Sequence, residues 1–173
     1  NVSEEVIEQV EIVQQSTTTS STTTLQSIMK KQFPISCSAS SSYNNGDGYS
    51  CENLFDSALS SWQDNSLQCQ DGWIEFSFAQ EIYIEFIVFQ NVKDSKSFAR
   101  NFNARDILIT TDDIDNSINK ELTNDNSSQW VDINQTTSYL RIDILSAFPG
   151  EEVGGSQAFN ECAIQEITFW GRG

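Results

Sequence analysis

The sequence contains no histidine in 173 residues. That removes Ser-His-Asp and Cys-His catalysis, imidazole acid/base chemistry and His-ligated zinc or haem. Positive charge is also scarce. Nine Lys and Arg face 25 Asp and Glu, a net charge of −16. So acidic a chain does not suit nucleic acid or an anionic membrane surface, both of which need clustered cations. It has no apolar run of the roughly 18 residues needed to span a bilayer. G-x-S-x-G, P-loop and Rossmann fingerprints are missing, as is any internal repeat. What remains is a non-catalytic binding or structural module of about one domain.

Hydrophobic residues make up 38% of the chain and aromatics 11%, enough for a core of modest size. Cys37, Cys51, Cys69 and Cys162 lack the close C-x-x-C pairs of a thiolate zinc site. An even count at wide spacing fits two disulfides in an oxidising compartment, with three connectivities open; four buried thiols are the other reading. Asn1, Asn126 and Asn134 each begin an N-x-[ST] sequon. The chain opens without Met, basic n-region or h-region. It therefore reads as a secreted, mature chain whose targeting segment has been removed.

Residues 1–32 read as an extension separate from a domain at 33–173. Val2, Val6, Ile7, Val10 and Val13 recur at near-helical spacing among glutamates, although 10–13 could equally be a short strand. Residues 16–24 are nine consecutive Ser or Thr, a composition that buries little and competes with helical hydrogen bonding. They form a linker, either an O-glycosylated stalk or a plain spacer. From residue 35 the signal is β. Ile74, Phe76 and Phe78 alternate, as do Leu140, Ile142 and Ile144; 82–91 is a run buried on both faces or bent between them. Shorter strands fall at 106–111, 130–133 and 163–170, with turn-rich stretches between them. No strong helix interleaves these strands, so the pattern favours an antiparallel sandwich. Trp62, Trp73, Trp130 and Trp170 are expected in its core.

Several stretches, in order, carry a family resemblance: Ser38-Ala-Ser-Ser-Ser-Tyr43, Asn53-Leu-Phe-Asp-Ser-Ala-Leu-Ser-Ser-Trp62, Gly72-Trp-Ile-Glu-Phe-Ser-Phe78, Asn103-Ala-Arg-Asp-Ile-Leu-Ile109 and Cys162-Ala-Ile-Gln-Glu-Ile-Thr-Phe-Trp-Gly171. Residues 36–171 thereby resemble the galactose-binding-like β-sandwich of discoidin (coagulation factor 5/8 type C) domains, fucolectins and many carbohydrate-binding modules. The resemblance implies an all-β, antiparallel jelly roll whose first and last strands are close. On that ground Cys37 is expected to pair with Cys162, and Cys51 with Cys69.

Many members of the family hold a structural Ca²⁺ at the edge of the sandwich. The matching ligands here would be the Asp56 and Glu166 carboxylates, backbone oxygens of Asn53 and Ala58, an oxygen of Ser61 or Ser60, and the Gln165 carbonyl. Independently, Glu166 lies within an apolar strand, where its charge needs a cation, an Arg or an edge position. Ser57 replaces the usual Gly, and the loop to Trp62 is one residue short of the family spacing. Members bind sugars, lipids or proteins through loops at one end. The lack of histidine disfavours the fucolectin branch. Seven Lys and Arg against 21 acidic residues after residue 32 disfavour anionic lipid. For a sugar, Tyr43, Tyr49, Phe102, Phe148 and Phe159 stand in loop-like contexts to stack on a pyranose, with Arg100 and Arg105 to bond its hydroxyls. The acids at 112–115 read as solvated turn charge and fail the EF-hand pattern. The expectation is a secreted, non-catalytic adhesion module for a glycan or glycoprotein partner. The other reading is a subunit of an extracellular filament, coat or appendage that self-assembles through the sandwich and its extension.

Overall fold

The structure is a computed structural model describing residues 28–172. Most of the extension, with its hydroxyl run and Asn1, lies outside the described residues. So does the expectation that this segment drives self-assembly.

Among the described residues eleven strands are formed: β1 (Lys30–Gln32), β2 (Ser36–Ala39), β3 (Trp62–Gln63), β4 (Trp73–Gln90), β5 (Asn103–Ala104), β6 (Asp106–Thr111), β7 (Ile118–Glu121), β8 (Ser128–Ile144), β9 (Ala147–Phe148), β10 (Ala163–Ile164) and β11 (Glu166–Arg172). A short α-helix, α1 (Ser95–Arg100), is capped by Asp94, whose carboxylate accepts the Ser97 N–H at 2.8 Å. The strand pairs are antiparallel, and the main sheet runs β1-β11-β4-β8-β6-β7, with β2 also on β4.

Two long strands make this sheet into two layers. Pairing between β4 and β8 skips between Ser77 and Ile82 and resumes beyond. There both strands bend together, because an irregularity sharpens local twist. The first half of β4 sides with β2, β6 and β7, and its second half with β11 and β1. The layers meet face to face: Phe169 of β11 sits edge-on to Phe76 and Phe78, with centroids 4.9 and 5.2 Å away. The run at 82–91 does not bury both faces throughout. A second irregularity, between Ile84 and Phe86, shifts its phase so that Ile84, Ile87 and Phe89 all point inward.

Four sequence expectations need correction. First, the sheet starts at Lys30, ahead of the boundary set at residue 33; β1 pairs with β11 through Lys31 opposite Trp170. Second, the segments 130–133 and 139–144 are parts of one strand, β8. Third, of the four tryptophans only Trp62 is fully buried. Trp73 and Trp170 are half-buried, under Arg141 and against Phe86, and Trp130 is 59% exposed. Fourth, the disulfides are Cys37–Cys51 and Cys69–Cys162, not Cys37–Cys162 and Cys51–Cys69. The strand beside β11 is β1, so proximity of the chain's first and last strands brings Lys31, not Cys37, to the C-terminal strand. Cys37 instead lies on β2 against β4, opposite Phe76, within reach of Cys51. Cys162 precedes β10, where the turn at 67–69 docks through the Gln68 N–H on the Asn160 carbonyl.

Several surface carboxylates are tied into this frame. Burial alone would raise Glu75, but hydrogen bonds from Tyr139, Arg141 and Ser38 outweigh it and hold its carboxyl below the ordinary value. The Ser138 backbone N–H lowers Asp112, and the Ser127 hydroxyl lowers Asp125. Tyr139, half-buried and bonded to Glu75, is pushed up to about 12. Asp64 moves the opposite way, raised mainly by its burial. For the lowered carboxylates, stability is present above the unfolded values, about 4, and is lost as pH falls through the folded ones. For Asp64, the folded state takes up a proton first, which opposes that loss. With Asp94, which is lowered as well, four against one predicts a urea midpoint that falls between pH 5 and pH 3. A midpoint flat or rising toward acid would show that Asp64 dominates.

Candidate functional site

The loops that close one end of the sandwich enclose a cleft of about 680 Å³. Its first wall is the loop after β2. Asn44 and Asn45 take left-handed backbone angles (φ 52 and 55) and Gly46 follows at φ 85. Asn and Gly tolerate this region where most side chains clash. The reversal sets Tyr43 and Tyr49 edge to face, with centroids 5.4 Å apart. The loop hangs from β3: Trp62 Nε1 donates to the Ser41 carbonyl at 3.0 Å, and the Gln63 N–H donates to the Tyr49 carbonyl. Ser61 and Gln63, on either side of Trp62, line the cleft with exposed Leu59.

The opposite wall comes from α1 and the loop before β10: Lys93, Asp94, Ser97, Asn101, Phe159 and Glu161. The Phe159 ring is covered by the Arg100 guanidinium at 3.8 Å, and its N–H donates to the Arg100 carbonyl. Arg100 Nε bonds the Gln157 carbonyl at 2.8 Å. Behind this wall, fully buried Asp64 accepts the Cys162 N–H at 2.6 Å and the Ser66 hydroxyl. Hydrogen bonds from the Ser97 hydroxyl and N–H hold the Asp94 carboxyl below its ordinary value, so it stays ionised. The mouth therefore carries Asp94 and Glu161 against Lys93. Aromatic faces beside amide and carboxylate acceptors suit a polyhydroxylated ligand with one apolar face.

Of the aromatics expected at a ligand, Tyr43, Tyr49 and Phe159 line this cleft. Arg100 stands one step behind it, through Phe159. Phe102 and Phe148 do not reach it. Phe102 bridges to Cys162 and borders a separate hollow beside Cys69, while Phe148 pairs with Asn103 and lies 5.5 Å from Arg105. Sequence reasoning missed Leu59, Gln63, Asp94 and Glu161. The one available signal was Asp94 three residues ahead of Ser97, a helix-capping spacing. At the sequons, Asn126 gives its amide hydrogen to the Lys93 carbonyl at 3.0 Å, and exposed Asn134 accepts the Tyr83 hydroxyl.

Several of the oxygens expected for calcium, in the 53–61 loop and on β11, are engaged by the chain itself, and as they stand they do not fit that ion. The Asp56 oxygens accept the Ala58 N–H at 2.7 Å and the Ser60 hydroxyl at 3.0 Å. Asn53 Nδ2 occupies the Ser61 carbonyl at 2.9 Å. The Gln165 side chain accepts the Lys93 N–H. Glu166 Oε1 lies 3.2 Å from Lys31 Nζ, which also donates to Ser57 Oγ at 3.2 Å. Among the described residues, one group of three His, Cys, Asp or Glu ligand atoms converges, Cys37, Cys51 and Glu52, and its two sulfurs are joined in a disulfide.

No family model and no curated protein matches the sequence. Solved structures do match. A family 32 carbohydrate-binding module from Clostridium perfringens NanJ, in complex with galactose, superposes with TM-score 0.57 and 12% identity, over 83% of this chain and 99% of that one. The CBM32-1 and CBM32-2 domains of Clostridium perfringens ZmpB, in complex with GalNAc, give TM-score 0.60 and 11% identity over 82% of this chain; the match spans only 35% of that longer chain. The F5/8 type C domain of a Bacteroides fragilis protein gives TM-score 0.54 and 12% identity, over 79% and 91% of the two chains. The chain thus has the galactose-binding-like β-sandwich fold, shared with CBM32 and F5/8 type C domains.

Proposed function

We propose that the protein is an extracellular carbohydrate-binding module that takes an uncharged sugar, a hexose or N-acetylhexosamine, in the cleft between Tyr43, Tyr49 and Phe159. The observation that carries this is the paired tyrosines walling a loop-end cleft of about 680 Å³, within the usual range of a small-ligand site. A pyranose offers an apolar C–H face to a ring, and its hydroxyls meet Gln63, Asn101, Asp94 and Glu161. The galactose and GalNAc held by the NanJ and ZmpB modules are ligands of this kind. Charge argues against acidic sugars, since the two carboxylates at the mouth repel a uronate or sialate and only Lys93 attracts one. The residues serve recognition, with no nucleophile and base set for chemistry. The two disulfides support an oxidising, extracellular setting.

The test is an immobilised panel of neutral and acidic glycans, followed by titration calorimetry. Retention on neutral galactose-type sugars is expected. Tyr49→Ala should weaken binding at least about tenfold, the loss of roughly 1–3 kcal/mol that ring stacking and packing supply. Its melting temperature should stay near that of the parent. Retention on acidic sugars alone, or unchanged affinity in Tyr49→Ala, would overturn the assignment.

A further inference from the structure

We propose that the Lys31 ammonium is the resident cation of the edge site between the 53–61 loop and β11, and that the sandwich is held together there without calcium. The ammonium is placed by pairing: β1 lies antiparallel to β11 with Lys31 opposite Trp170, which carries its long side chain along that strand toward Glu166. It ends 3.2 Å from Glu166 Oε1, 3.2 Å from Ser57 Oγ and 5.4 Å from the Phe33 ring centroid. A carboxylate, a hydroxyl and an aromatic face are the partners an ammonium uses. A calcium ion wants six to eight oxygens and gains little from a ring. Ser57 takes φ 63, a left-handed conformation normally left to Gly, and its hydroxyl is what meets the ammonium. Both Asp56 carboxylate oxygens are turned to groups of the loop itself, accepting the Ala58 N–H and the Ser60 hydroxyl. A divalent ion seated on Glu166 would have to expel Lys31 or lie within a few ångströms of it.

The two side chains are only 24% and 19% exposed, so water and salt screen the pair incompletely. The consequence is local as well as global. Residue 31 ties the entry of the chain into the sheet to its last strand, and the cation arrives with the polypeptide instead of from solution.

Thermal melting of the full chain tests this, with millimolar CaCl₂ and with EDTA, in the parent and in Lys31→Met, Glu166→Gln and the double variant. Methionine keeps the apolar stem and removes the charge. The parent should melt at the same temperature in calcium and in chelator. Lys31→Met should melt about 2–4 °C lower, and adding Glu166→Gln to it should cost less than Glu166→Gln alone. A parent that gains stability from calcium and loses it to EDTA would overturn the proposal. So would single variants whose effects simply add. Neither readout depends on sugar binding.

Discussion

Replacing both Cys69 and Cys162 by alanine is expected to lower the unfolding free energy by about 4–5 kcal/mol, the largest effect of any pair of substitutions considered. The bond joins residues 93 positions apart, so breaking it releases a long loop in the unfolded chain. Chain-entropy scaling gives about 4.7 kcal/mol for a loop near 100 residues and about 3 kcal/mol for one near 15. Cys37 and Cys51, 14 positions apart, belong to the second class. Cys69 and Cys162 are also buried, at 3% and 0% exposure, so their removal leaves a small void as well. Guanidinium unfolding of the two double variants against the parent makes the comparison. Cys69→Ala,Cys162→Ala should be the less stable, and it should also bind sugar more weakly. The bond anchors the segment that carries Phe159 and Glu161, beside the contact between Gln68 and Asn160. Equal losses from the two variants would mean that the unfolded chain is already compact enough to hide the difference in loop length. Non-reducing peptide mapping should recover 37 with 51 and 69 with 162.

The strands were legible because alternation is written residue by residue. Ile74 and Phe76 oppose Ile142 and Leu140 across one register, and a slip of one would expose them all. The cysteine pairing was not legible, because it depends on which strand ends the loops bring together. Proximity of first and last strands was sound as a principle, yet it applied to β1, a three-residue strand, Lys30-Lys31-Gln32, with no apolar residue to announce it. The same short strand hid Lys31, assigned by composition to an extension, and with it the partner of Glu166. Glu166 itself was readable as a charge in need of compensation, since it stands between buried Gln165 and Ile167. Half of the cleft was visible through its aromatics. Phe102 and Phe148 looked like loop residues because an isolated bridge and a two-residue pairing are too short to show a period.

Trp62→Ala should cost about 3–5 kcal/mol, the range for truncating a fully buried aromatic, and should abolish sugar binding with it. Trp62 has 0% exposure and pairs with Ile164, between Ser61 and Gln63, which line the cleft. Trp62→Phe is the more informative change. It keeps most of the buried ring but removes the indole N–H, leaving the Ser41 carbonyl without its donor at 3.0 Å. That loss is worth about 1 kcal/mol in stability. Its effect on binding should be larger than its effect on folding. Ser41 is where the tyrosine loop joins β3, and its hydroxyl also accepts the Asn65 N–H at 2.9 Å. Freed at Ser41, the loop holds Tyr43 and Tyr49 in more than one arrangement, and a ligand must then bear the entropy of ordering them. Calorimetry with the sugar identified by the glycan panel, beside urea unfolding, separates the two effects. The expected result for Trp62→Phe is a weaker complex with a less favourable binding entropy and an unfolding midpoint lowered only by that smaller loss. A variant that binds as the parent does while losing stability would show that the core, and not the Ser41 contact, sets the position of the tyrosines.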